Sequence, residues 1–402
     1  MMKRYLIVIS FLILGSCYLL SFKINDESAK NIIGVYINDE YSNSVPLKDS
    51  GYYVDKIECD NNSSGEWDYV SWGLLTTNMS KKSKCNVYFR KDTIVNSIKS
   101  QLDTTSKCPT VNDDGSVNVT SAESENSLLC SAPDNYGTSY YYRGNVSNNY
   151  VYFANFYWRI VRINGDGSIR IIYDGTSAHE NGEASEDRQI GKSAFNEQAD
   201  DNAYVGYMYG TPSSSTYEET HANINDSTIK KYVDNWYENN IKGTGYEQYL
   251  TNSTFWEDKS ISNTKPDIYL NTGIGKEKTD YRWVHGPWDS DFNDNNGMFL
   301  KGNNYLPLKY GIGLLTIDEA VVGGIYDAKN VLNYLNTGEN YWLLGAISFG
   351  NSGIARVRYL TNSGSTSSSK VIDGRGVKPV INLKQGSLKS GDGTITNAYL
   401  VD

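Results

Sequence analysis

The chain has 402 residues with a formal net charge of −10, which allows two or three domains with real cores and disfavours nucleic acid or an anionic lipid surface as partner. Thirty-three tyrosines and eight tryptophans stand against ten phenylalanines. Amphipathic aromatics suit strands and ligand-stacking surfaces, although a lineage that uses Tyr as its everyday aromatic explains the count more simply.

Met1-Met2-Lys3-Arg4 is a short basic leader, and Tyr5 to Phe22 then runs 18 residues without a charge. At ~1.5 Å per residue a helix of that length just crosses a hydrocarbon core, and the flanking charges place its start inside. An uncleaved signal anchor over residues 1–23 is therefore expected. A lipoprotein with lipid on Cys17 and full secretion are the alternatives, and all three export the remainder.

Residues 24–40 read as a stalk. From 41 to 100, short apolar runs such as Gly51-Tyr52-Tyr53-Val54, Trp67 to Leu75 and Cys85 to Phe89 are broken by turn residues, as in a small β-sandwich-like domain. Residues 101–130 form a polar loop rich in Ser, Thr, Asn and Asp. Outside the apolar run the cysteines are Cys59, Cys85, Cys108 and Cys130. They allow three connectivities, of which the sequential Cys59–Cys85 and Cys108–Cys130 is the simplest. Their long spacings do not suit zinc.

A larger α+β domain, dominated by sheet, fills residues 131–402. Its clearest element is a long hairpin: Tyr150 to Phe153, Trp158 to Ile163, the turn Asn164-Gly165-Asp166-Gly167, then Ser168 to Tyr173. Ser227 to about Ile241 places Ile229, Tyr232, Val233, Trp236 and Tyr237 on one helical face. A second helix starts at Thr316, where Thr316-Ile317-Asp318-Glu319 fits a capping box, and stops at Gly323-Gly324. Val377 to Leu383 reads as a strand.

Catalytic signatures are few. Neither a Gly-x-Ser-x-Gly elbow nor a His-Glu-x-x-His helix occurs, and His179, His221 and His285 lie far apart. Ile190-Gly191-Lys192-Ser193 ends like a phosphate loop but has Glu186 where the first glycine belongs. Ser227 and Lys230 have the spacing of a serine nucleophile and its lysine, yet no Lys-Thr-Gly strand accompanies them, and Ser227 is a sufficient helix cap. Asp289, Asp291 and Asn293 offer oxygens at alternate positions, so calcium is the one candidate cofactor. Asp294 stands where a calcium loop needs glycine, and a solvated acidic loop is the plainer reading.

Tyr140 to Val146, the Trp158–Tyr173 hairpin, Asp201 to Gly210, Gly313 to Ala320 and Gly376 to Leu383 resemble blocks in a family of uncharacterised surface proteins of Gram-positive gut bacteria. The last third, a helix, then Tyr341-Trp342, then Gly376-Val377-Lys378-Pro379-Val380, also resembles the formylglycine-generating-enzyme branch of the C-type-lectin-like fold. That resemblance implies a C-type-lectin-like larger domain. The chain departs from the family at Leu343-Leu344-Gly345-Ala346 and at Phe255-Trp256. Formylglycine-generating chemistry needs cysteine in the domain, and none follows Cys130. The expectation is therefore a membrane-anchored, extracellular binding protein without catalysis, for a glycan or protein ligand. Trp283, Trp288, Tyr341 and Trp342 are its candidate ligand-binding residues. A structural spacer or pilus-like subunit and an exported enzyme of unknown reaction are the alternatives.

Overall fold

A computed structural model describes residues 32–69, 71–80, 83–103, 108–111, 117–118, 127–133, 138–214, 217–220, 224–251, 308–325, 331–349 and 353–401. The charge-free N-terminal run lies outside these residues. No helix among them is long and apolar enough to cross a membrane. Among the described residues the fold is β-rich α+β, with 41% strand and 14% helix. The chain divides into two compact units, one comprising residues up to 68 with 72–91, the other 69–71 with 92–402.

The smaller unit contains one mixed four-stranded sheet and a separate hairpin, Ser64–Asp68 with Gly73–Thr77. Ile32–Ile37 pairs parallel with Lys84–Lys91, so this part of the expected stalk is an inner strand of the sheet. Its sequence, IIGVYI, is rich in β-branched residues that favour a pleated, covered position. On the buried face Trp67 packs edge-on to Phe89 at 5.1 Å and to Trp72 at 5.4 Å. The opposite face carries a cross-strand row: Tyr41 against Tyr36, Tyr36 stacked on Tyr88 at 4.7 Å, and Lys56 4.3 Å over the Tyr88 ring. The stacked Tyr36 and Tyr88 rings cover one another, which makes that pair a brace for the sheet. Cys59 and Cys85 are register partners on neighbouring strands and are disulfide-bonded.

The main stretch of the larger unit begins at Asp92, whose carboxylate caps the helix Thr93–Lys99 through the Val95 N–H at 2.9 Å and also accepts from the Gly386 N–H at 3.0 Å. That helix buries Val95 and Ile98 in the larger core, and so does not belong with residues 41–91. The Cys108–Cys130 bridge also forms. The main sheet runs, in spatial order, Ile312–Leu314, Pro379–Leu383, Ile169–Gly175, Phe156–Ile163, Tyr150–Phe153, Tyr399–Val401 and Leu388–Ser390. The hairpin turn closes where it is expected, with Gly167 at φ +83° and its N–H donating to Asn164 O at 2.8 Å. A second sheet joins Lys192–Ser193, Arg375–Gly376, Tyr341–Phe349, Ala355–Leu360 and Thr366–Lys370. Apolar side chains between these layers and the helix Thr228–Asn240 form one continuous core.

Candidate functional site

A cleft of about 390 Å³ opens in the larger unit beside the helix Thr228–Asn240. Ser227 starts this helix by accepting from the Lys230 N–H at 3.2 Å, and Ile229, Val233 and Tyr237 face the core. The next positions round the helix, Thr228, Lys231, Tyr232 and Asn235, are left to form one wall. The facing wall is the segment Asn196-Glu197-Gln198. It is fixed by the Phe195 and Asn196 N–H groups, which both donate to Val371 O at 2.8 and 3.0 Å. Ile229 N–H donates to Phe195 O at 3.1 Å and ties the two walls together.

Aromatic side chains supply the floor. Asp201 caps the short turn Asn202–Val205 through the Ala203 N–H at 2.8 Å and sets Tyr204 against Tyr209, ring centroids 5.4 Å apart, edge to face. The Tyr204 hydroxyl donates to Gln198 Oε1, and burial raises its phenol. Tyr232 donates to Ile190 O at 3.1 Å and lies across Gly191, where φ is +135° and an added Cβ would collide with the Tyr232 hydroxyl. Among the described residues, Glu197, Lys231 and Asn235 have no side-chain partner. Aromatic faces with amides, a hydroxyl and one charge of each sign can stack on a polyhydroxylated ring and bond its hydroxyls.

Two other clusters have a different character. His179 Nδ1 stands 3.0 Å from Glu183 Oε1, and its Nε2 is 2.7 Å from Asp187 Oδ1 and 3.2 Å from Ser177 Oγ. The nitrogen a general base would turn to Ser177 is already taken by Asp187, which also accepts from the Thr176 N–H at 3.1 Å. The cluster is a staple for the loop 176–188. Deeper in, Asp174 receives Arg188, Lys378 and Arg159, and Glu319 receives Arg162 and Arg170. All seven are at most 2% exposed, so no ligand reaches them.

Of the residues expected to bind, Tyr341 and Trp342 are core residues at 0% exposure. Tyr341 donates to Leu335 O at 2.8 Å, and Trp342 Nε1 donates to Ser193 O at 2.9 Å while packing edge-on to Phe195 at 5.6 Å. They support the segment that leads into the cleft and do not line it. Trp283, Trp288, Asp289, Asp291 and Asn293 lie outside the described residues. Among the described residues no three His, Cys, Asp or Glu side chains gather as a metal site requires. Ser227 and Lys230 are both buried, with Lys230 paired to Asp234 at 2.6 Å and Asp226 at 3.2 Å, so the serine acts as a cap. Of the cleft residues, Tyr204 and Tyr209 sit in the Asp201–Gly210 block, but its apolar pattern resembles core, and only the fold turns it towards Lys231.

Comparison of the chain with protein-family models, with curated proteins and with solved structures gives no match.

Proposed function

We propose that this chain is an exported, membrane-anchored cell-surface protein that binds a saccharide, without turning it over, in the cleft between Asn196–Gln198 and the helix Thr228–Asn240. The cleft lining carries the reading: three tyrosines beside amides and a hydroxyl, at about 390 Å³. That size lies near the low end of the ~300–1,000 Å³ typical of small-molecule pockets. Export is supported by two cysteine pairs, since such bonds persist outside the cytoplasm. We read the larger unit as C-type-lectin-like from the resemblance of its last third.

The purified full-length chain on a glycan array is the test. Binding to at least one saccharide is expected. Tyr209→Ala and Asn235→Ala should each weaken it about tenfold or more, and Asn235→Ala should hold the melting temperature within a few degrees, since Asn235 is exposed. Signal no higher than background across all saccharides would remove the reading.

A further inference from the structure

We infer that the saccharide taken by this cleft carries a free amine and a carboxylate together, as a zwitterionic amino-sugar acid does. The inference rests on the saccharide reading above and deepens it.

Glu197 and Lys231 are both exposed and both line the cleft, from opposite walls. Backbone bonds fix both walls: Asn196, next to Glu197, donates its N–H to Val371 O at 3.0 Å, and Lys231 N–H donates to Ser227 O at 3.1 Å. So held, the two charges do not come within ion-pair distance, and among the described residues neither has another partner. Elsewhere on this surface opposite charges within reach do pair: Lys56 with Glu58 at 2.8 Å, Lys309 with Glu238 at 2.6 Å. Lys230, next along the helix, is likewise committed to Asp234. The cleft therefore keeps one cation and one anion unpaired and apart.

A ligand with a single charge gains at one wall and is repelled at the other. An uncharged sugar meets the tyrosines, Thr228 and Asn235 but leaves both charges to water. Only a ligand with both charges satisfies both walls. Exposed pairs of this kind are worth little singly, so a combined preference of about tenfold is the expected scale.

Isothermal titration of the full-length chain with four matched monosaccharides is the test: muramic acid with both groups, glucosamine with the amine, glucuronic acid with the carboxylate, N-acetylglucosamine with neither charge. Muramic acid should bind about tenfold tighter than each of the others, and the advantage should shrink at about 1 M salt. Glu197→Gln should erase its lead over glucuronic acid, and Lys231→Met its lead over glucosamine. Muramic acid binding no tighter than N-acetylglucosamine, or a lead that survives both substitutions, overturns the inference while the saccharide reading stands. Binding by none of the four overturns the inference, and background signal on the array as well removes the saccharide reading with it.

Discussion

Arg188 grips Asp174 with three hydrogen bonds: Nε and Nη2 donate to Oδ1 at 3.0 and 2.9 Å, and Nη2 also donates to Oδ2 at 3.1 Å. Its remaining nitrogen donates to Glu183 O at 2.6 Å, which couples the main sheet to the loop stapled by His179. Lys378 stands 3.1 Å from the same carboxylate, and Arg159 reaches it at 3.6 Å while lying 3.7 Å over the Tyr150 ring. Burial by itself would raise Asp174, but Arg188, Lys378 and Arg159 outweigh it and hold the carboxyl below its usual range. One anion thus compensates two buried guanidinium groups and, below about pH 7, the Lys378 ammonium as well. Asp174→Asn keeps the shape and removes that compensation, and should cost about 3–5 kcal/mol. Urea unfolding of the larger unit measures it; a loss under ~1 kcal/mol would show that the surrounding carbonyls and rings suffice.

Burial pushes the Lys378 ammonium down to about 7, only partly countered by Asp174. Between that value and 10.5 the unfolded lysine holds a proton that the folded one has released, so stability rises with pH over this window, by at most about 1.4 kcal/mol per unit. Buried phenols act in the opposite sense. Tyr399 is pushed up to about 12 by burial, and Tyr142 and Tyr334 higher, so above pH ~10 the unfolded chain loses protons that the folded one keeps. Stability should peak near pH 9–10. Chemical denaturation from pH 7 to 11 should show the rise, and Lys378→Met should flatten it below pH 10. An unchanged slope in the variant would remove Lys378 as its source.

Asp174 and Glu319 are both held below their usual range, Glu319 by Arg170 and Arg162 against the opposing effect of burial. Their contribution is present above the ordinary carboxylate values and is lost as pH falls below them. Acid should therefore unfold the larger unit cooperatively below about pH 4, and Glu319→Gln should move that midpoint upward. Circular dichroism during acid titration reads it; coincident midpoints would contradict this account.

Each disulfide closes a loop of 26 or 22 residues, worth about 3–4 kcal/mol in the chain-entropy model. The smaller unit has a thin core of Val35, Tyr53, Trp67, Val87 and Phe89. Replacing Cys59 and Cys85 by alanine should therefore shift a separate, lower calorimetric transition and leave the larger unit's transition in place. A shift of both transitions together would show that the two units do not unfold independently.

Thr316 and Glu319 form a reciprocal cap: Thr316 Oγ1 accepts from the Glu319 N–H at 3.1 Å, and Glu319 Oε2 accepts from the Thr316 N–H at 3.0 Å. Thr316→Ala should cost about 1–2 kcal/mol and Thr316→Ser much less. Equal losses in thermal melts of the two variants would assign the effect to the missing methyl group.

That cap shows what was legible in the sequence. The capping box, the hairpin turn at Asn164–Gly167 and the amphipathic face from Ile229 to Tyr237 all depend on residues close together in the chain, and local chemistry specifies them; the sequential cysteine pairs, the simplest of three, also form. The expected alternation along Trp158–Ile163 and Ile169–Tyr173 is present, but both faces are buried. A period of two announces two faces without saying what covers them. Arg162 and Arg170 find Glu319 across 157 and 149 residues, and no local pattern records such a pairing. The same limit put Tyr341 and Trp342 on a ligand surface, because an aromatic pair looks alike whether it meets solvent or a packed layer. Ile32–Ile37 looks like stalk in the sequence because its parallel partner begins only at Lys84. The cleft itself joins Asn196–Gln198, Tyr204, Tyr209 and a helix beginning at residue 228. Local hydrogen bonding and periodicity are settled within a few residues, so the sequence by itself determined the two capped helices and the hairpin turn, and limited the four outer cysteines to three pairings. Burial depends on what arrives from far along the chain, so only the tertiary structure decided which polar groups became core and which tyrosines face the cleft.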